Sequence, residues 1–283
     1  METVCHGKPW DVALVHGPNA QIVAAMPYHY GTRFGLRYIL QPQLTQHSGP
    51  WYRPGTDPAA AAPRLAHHFK KLHPLFFQQQ FAPGTPVGSE WNGYTITQRP
   101  TYRIDDISDP LQVFHRFDKQ RRQRPIRRAE KNLHPVALTP EHFATFHTEY
   151  WASRGQHDQL PHDLMVRLIQ TALQRRQGIL LGVADTHNTL HAARFVAYDS
   201  RCAYSLLSAL NPDGHANGAS PLLFWLIMQQ LAGQTQAFDF EGSTDPGIAF
   251  SYSLYGAQPA TYCRLTRYAS PLLRPFLKKT IEK

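Results

Sequence analysis

The feature that most constrains this chain is an order of segments in its second half. Three strand-like runs, GILLGVAD, LHAARFVAYD and RCAYSLLSAL, follow one another, the first two joined by the turn DTHNTL. A Gly/Asn loop, NPDGHANGAS, leads into the apolar helix SPLLFWLIMQQLAG, and the strand-like FDFEGS follows. GIAFSYSLYG reads as a short helix and ATYCRLTRYA as a last strand. Strands of hairpin character, then a helix crossing into a further strand, imply a mixed α/β layout.

Two helices precede this block. Phe143, Phe146, His147, Tyr150 and Trp151 share one helical face, as do Leu164, Met165, Leu168, Ile169 and Ala172. The first half reads as strands WDVALVHG, AQIVAAMPYHY and LRYILQ, a helix from Pro63 to His73, and strands LFFQQQF and YTITQRPTYRI. It could be a shorter version of the same layout. Asp109 before Pro110 marks a helix start. That helix leads into a basic run: eight Lys or Arg stand against two acids between Arg116 and Lys131. Pro125 predicts a break or a fresh start there, because it lacks an N–H and clashes with the preceding turn. The terminal LLRPFLKKTIEK reads as a packed helix or a fraying end.

Composition narrows the class. With 283 residues the chain holds one large domain or two modest ones. Its 42% hydrophobic and 17% charged residues exclude a disordered chain. The formal charge of +9 suits phosphorylated or otherwise anionic partners. Cys5, Cys202 and Cys263 have no zinc spacing and read as reduced thiols, and the 16 histidines show no ligand motif, so no metal is assigned. No signal segment opens the chain and no apolar run approaches the roughly 20 residues of a bilayer span. A soluble cytoplasmic protein is the expectation.

Three places could carry chemistry. In FDFEGS, alternation turns Phe238 and Phe240 to the core and Asp239 and Glu241 to the other side. They lie near the strand's C-terminal end, where open α/β sheets bind ligands. A carboxylate there could take a proton from an attacking amine; equally, the pair could cap the next helix or bind an Arg. The loop from Gly214 to Ser220, with Asn217, Gly218, Ala219 and Ser220 at its end, opens a helix near Ser220 or Pro221 whose free N–H groups and dipole suit phosphate; an ordinary strand–helix loop with a Ser cap would look the same. Arg127, Arg128 and Lys131 could grip phosphates or form a solvated face. Arg194 and Tyr204 sit mid-strand and could face a cleft or serve structure.

Taken in order, these pieces resemble the GNAT superfamily of acyltransferases, and within it the Fem-like branch. YRIDD followed by RRQRPIRRAEKN, HAARFVAYDSRCAYSLLSA, and ASPLLFWLIMQQLAG followed by FDFEGSTDPGIAFSYSLYGAQPATY carry the resemblance, over about Tyr102 to Arg267. It implies an α/β fold of two GNAT-like half-domains, each a mixed sheet flanked by helices, over residues 1–104 and 105–283. It implies an enzyme that transfers an acyl or aminoacyl group to an amine on a small molecule or peptide. The co-substrate would be acyl-CoA or aminoacyl-tRNA, with no tightly bound cofactor. Glu241 would accept a proton with Asp239 in support. Asn217, Gly218, Ala219 and Ser220 would meet donor phosphate. Arg127, Arg128, Lys131, Arg194 and Tyr204 would meet substrate. The alternative is a basic RNA- or tRNA-binding module on a degenerate acyltransferase fold.

Overall fold

A computed structural model describes residues 1–33, 35–243 and 245–270. The LLRPFLKKTIEK segment lies outside them. In chain order the elements are α1 (Glu2–Cys5), β1 (Trp10–His16), β2 (Ile22–Arg33), β3 (Leu36–Leu40), β4 (Trp51–Tyr52), α2 (Pro58–Lys71), β5 (Phe76–Phe81), β6 (Thr95–Ile104), α3 (Pro110–Arg116), α4 (Arg124–Ala129), β7 (Leu133–Ala137), α5 (Pro140–Ser153), α6 (His162–Gln174), β8 (Gly178–Asp185), β9 (Leu190–Tyr198), β10 (Cys202–Leu210), α7 (Ala219–Leu231), β11 (Ala237–Asp239), α8 (Pro246–Ser253) and β12 (Gln258–Tyr268). They group into two compact units. One is Met1–Arg99 with the chain from Thr261 on; the other is Pro100–Ala260. The sequence places the division after residue 104 and runs the second unit to the C-terminus. The difference has a physical source: the last strand pairs with β5, and sequence order does not report such a distant pairing.

In the first unit β1, β2 and β3 form an antiparallel meander, and β4 adds to β2. The chain then crosses through α2 and returns as β5, parallel to β3 with Tyr38 opposite Phe76. β12 closes the sheet, antiparallel to β5. The core holds Met26, Ile39, Leu65, Phe69, Phe77, Phe81, Trp91 and Leu265. The helix expected from Pro63 begins at Pro58, because the Asp57 carboxylate accepts the Ala59 N–H at 2.9 Å and caps it. Pro63 falls in the second turn.

The second unit repeats this plan with one more strand. β7, β8, β9 and β10 are antiparallel neighbours. The chain crosses through α7 and returns as β11, parallel to β10, and the second half of β6 closes the sheet antiparallel to β11. Each unit is therefore a mixed sheet flanked by helices, the second a longer copy of the first. Helix α7 lies over one face, where Leu222, Leu223, Phe224, Ile227 and Leu231 meet Leu181, Val183, Ala192, Val196 and Phe238. The alternate strand residues face the other way, toward α5 and α6. There a side chain on Gly178 would strike Ala172 of α6.

A fresh helix starts near Pro125, as expected, although the chain stays helical through it. A single π turn, Lys119–Gln123, follows α3 and runs directly into α4, with Gln123 and Arg124 both helical. The wider turn lets Pro125 enter in the first turn of α4, where its missing N–H costs nothing. Asp118 caps the π turn, accepting the Gln120 and Arg121 N–H groups at 3.0 and 2.7 Å.

Candidate active site

β11 is only three residues long, and its end shapes the site. Phe238 and Phe240 are both buried, as alternation requires. The strand stops at Asp239, however, and Glu241 turns left-handed with φ of 59°. The expected shared face of Asp239 and Glu241 therefore fails as a strand feature. The two are joined locally instead: Asp239 Oδ1 accepts the Glu241 N–H at 2.8 Å. The same oxygen accepts the Thr101 hydroxyl from β6 at 2.5 Å. The next residue must be glycine, since a Cβ on Gly242 would lie 1.8 Å from the Pro100 carbonyl oxygen. Asp245 then caps α8 through the Gly247 and Ile248 N–H groups.

Two acceptor atoms are left over. Asp239 Oδ2 and Glu241 Oε1 are shielded from solvent and have no hydrogen-bond partner among the described residues. Burial shifts both groups. It raises the Asp239 pKa against the pull of the Thr101 bond. It pushes Glu241 up to about 8, with the neighbouring Asp239 charge adding to the effect. A carboxyl group poised near neutrality can both take and release a proton.

Aromatic rings wall the site. Phe240 lies 5.0 Å from Phe224, 4.9 Å from Tyr252 and 5.4 Å from Tyr255, centre to centre. The Tyr252 pKa is raised by burial; the charge of Arg194 opposes this, and Glu241 and Asp239 add to it. Tyr252 thus feels the cation and both carboxylates. Arg194, in the middle of β9, is buried, with its guanidinium carbon 3.7 Å above the Phe224 ring and Nη1 donating to Ser205 Oγ. Burial lowers its pKa to about 10, which still leaves it charged at neutral pH. Tyr204, half-buried on β10, stands opposite Asp239 in the parallel register, where the β10–β9 pairing becomes irregular. Burial raises its pKa beyond the phenol range and pushes the adjacent Cys202 thiol up to about 12, so that thiol is inert.

The loop before α7 turns tightly into the helix. Gly218 takes φ of 83° at the helix entrance, and Asn217 Oδ1 accepts the Ala219 N–H at 3.0 Å. A Cβ on Gly218 would come within 2.9 Å of the Pro125 carbonyl oxygen, so glycine also lets α4 pack against the loop. Ser220 is partly exposed in the first turn. The equivalent helix of the first unit, α2, opens on the Asp57 carboxylate, whose negative charge occupies that position. Its following strand β5 carries Gln78, Gln79 and Gln80, with no acid. Of the two units, the second carries the glycine entrance and the acids at these equivalent positions.

The structure separates the remaining sequence candidates. Arg127, Arg128 and Lys131 are exposed, on or just after α4, rather than in the buried site. Arg127 rests on the Phe114 ring at 5.8 Å. The basic residue that does reach inward, Arg122, stood unmarked within the run. It donates to the Ser251 carbonyl and hydroxyl at 2.9 and 2.7 Å and lies 4.4 Å from the Tyr255 ring centre. Thr101, Tyr252 and Phe224 were likewise unmarked. The Tyr252/Tyr255 spacing at one helical turn is a signal for the tyrosine; nothing in the sequence joins Thr101 to Asp239. Among the described residues, no group of three or more His, Cys, Asp or Glu could hold a metal. No helix there is long and apolar enough to cross a membrane.

Residues 117–246 match the family model described as Acetyltransferase (GNAT) domain. Fold and match point to one class: residues 117–246 are similar to a GNAT acyltransferase domain. Several solved structures share the fold. The crystal structure of FemX is similar over 100% of this chain and 92% of its own, at 10% identity and a TM-score of 0.71. The structure of L-PGS from Bacillus licheniformis is similar over 100% and 96%, at 11% identity and 0.58. A tandem GNAT protein from the clavulanic acid biosynthesis pathway is similar over 94% and 85%, at 13% identity and 0.55. Comparison with curated proteins by sequence gives no match.

Proposed function

We propose that this chain forms an amide by moving an acyl or aminoacyl group onto an amine. The observation that carries this reading is the pair of shielded, unpartnered carboxyl oxygens, Asp239 Oδ2 and Glu241 Oε1. Acceptors buried without donors are costly. An amine brings the donors they lack and is the nucleophile that amide formation needs. Its nitrogen attacks the donor carbonyl carbon. The C–N bond forms, and the carbonyl's bond to the donor sulfur or oxygen breaks. Ionised Glu241 takes the amine proton, which balances the proton taken up by the leaving group.

The phosphate-rich donor, acyl-CoA or aminoacyl-tRNA, would lie at Asn217, Gly218, Ala219 and Ser220. Arg127, Arg128 and Lys131 on the adjoining basic segment would supply long-range attraction, and Tyr204 would line the acceptor side. The test is transfer of label from acetyl-CoA, a longer acyl-CoA or aminoacyl-tRNA to a panel of amines. Glu241→Gln should lower transfer at least about tenfold while circular dichroism stays unchanged. Near-normal turnover would remove Glu241 from the reaction. The exposed α4 cations favour a second reading, tRNA binding without transfer. Steeply salt-dependent tRNA binding with no acylated amine in any assay would select it.

A further inference from the structure

Arg194 presents the opposite deficit to the carboxylates. Its side chain is nine-tenths buried at 6% exposure, yet among the described residues it has no ion-pair partner. Its one hydrogen bond goes to a neutral hydroxyl, Ser205 Oγ, and Nε has no partner at all. The face of Phe224 offsets only part of the cost of burying that charge. One aromatic cluster connects the cation to the carboxylates. The Phe224 ring centre lies 3.7 Å from the Arg194 guanidinium carbon and 5.0 Å from the Phe240 ring centre, and Glu241 is the residue after Phe240.

We propose that Arg194 receives a carboxylate of the acceptor, so that the acceptor is an amino acid or peptide whose amine sits at Asp239 and Glu241 and whose acid end sits at the guanidinium. This rests on the amide-forming reading above. A carboxylate fits better than a phosphate for two reasons. The guanidinium offers a planar fork that matches two coplanar oxygens. A phosphate would bring up to two charges and more oxygens to desolvate beside a ring. Tyr252, which feels both the cation and the carboxylates, marks the span that the ligand must bridge.

The first measurement uses the intact chain. Binding of glycine, 4-aminobutyrate and 6-aminohexanoate is compared with that of their methyl esters by saturation-transfer NMR and calorimetry. At least one free acid should bind about tenfold or more tightly than its ester. Arg194→Gln should erase that preference; if this variant fails to fold, the wild-type comparison alone decides. Equal binding of acids and esters, or binding of neither, overturns the proposal. The two readings fail separately. If amines are acylated without regard to a carboxylate, only the role of Arg194 falls. If no amine is acylated, the transferase reading falls, and the acid-to-ester ratio still judges the Arg194 site.

Discussion

Glu241 holds a backbone angle that few side chains accept, and it does so beside a buried aspartate. Its ordinary pKa of 4.5 is raised to about 8 by burial and by Asp239. The sign of the stability effect follows. Between these values the folded chain keeps a proton that the unfolded chain has lost, so stability falls as pH rises through that window and levels off above it. Glu241→Gln removes the titration. Its Tm should match wild type near pH 5 and exceed it by roughly 3 °C or more near pH 9. Wild-type transfer should meanwhile rise with pH toward about 8 and that of the variant should stay flat. Calorimetry and initial rates across pH check both, and parallel Tm curves would show that Glu241 does not titrate as stated. Gly242 makes the second residue-scale case. Alanine there would meet backbone at 1.8 Å, so Gly242→Ala should cost about 3 kcal/mol or more, read as a lower urea midpoint. FDFEGS disclosed the acids and the buried phenylalanines. It could not disclose the turn at Glu241, where Asp239 Oδ1 accepts both the Glu241 N–H and a Thr101 hydroxyl that lies 138 positions away in sequence.

Among the elements, local signals were read well where local physics decides. Asp109 caps α3 as expected, accepting the Leu111 and Gln112 N–H groups. The apolar spacings gave α5 and α6, and the strand runs gave β1, β2, β3, β8, β9 and β10. Pro125 marks a fresh start as its chemistry requires: α4 begins at Arg124 with Pro125 in its first turn, and a π turn leads into it. The basic run gave charge but not direction: Arg122 turns inward to Ser251 and Tyr255, while Arg127, Arg128 and Lys131 stay outside. The loop before α7 was legible as glycine-bearing, and the structure adds why Gly218 is needed. Alanine would carry the left-handed penalty of about 1–2 kcal/mol and press on Pro125. Gly218→Ala should therefore lower stability by at least that much and also raise the donor KM, with kcat for a saturating donor little changed. Denaturant melts and initial-rate kinetics check the pair; an unchanged donor KM would separate this loop from donor binding.

Across the whole chain one plan occurs twice: an antiparallel meander, a helix, a parallel strand and an antiparallel closing strand. Residue-level comparison does not reveal it, because a sheet plan is kept by pairing and burial pattern rather than by identity. The chemistry of the two copies has diverged. One has Gly218 at its crossover helix and acids at its parallel strand; the other has Asp57 and a run of glutamines. The closing strand of the first unit comes from the far end of the sequence. β12 runs Cys263 to Tyr268 against Phe81 to Phe76, and Leu265 is fully buried in that unit's core. A chain ending at Ala260 should thus leave β5 unpaired on that side and open a cavity where Leu265 packs, a loss of about 3 kcal/mol or more from the side chain alone. Hydrogen exchange should report the loss selectively. Amides of β5 and α2 should exchange much faster in the truncated chain, while β9 and β10 keep their protection. Uniform acceleration through both units would mean that the two cores unfold as one, and unchanged protection of β5 would mean that β12 is not what closes the first sheet.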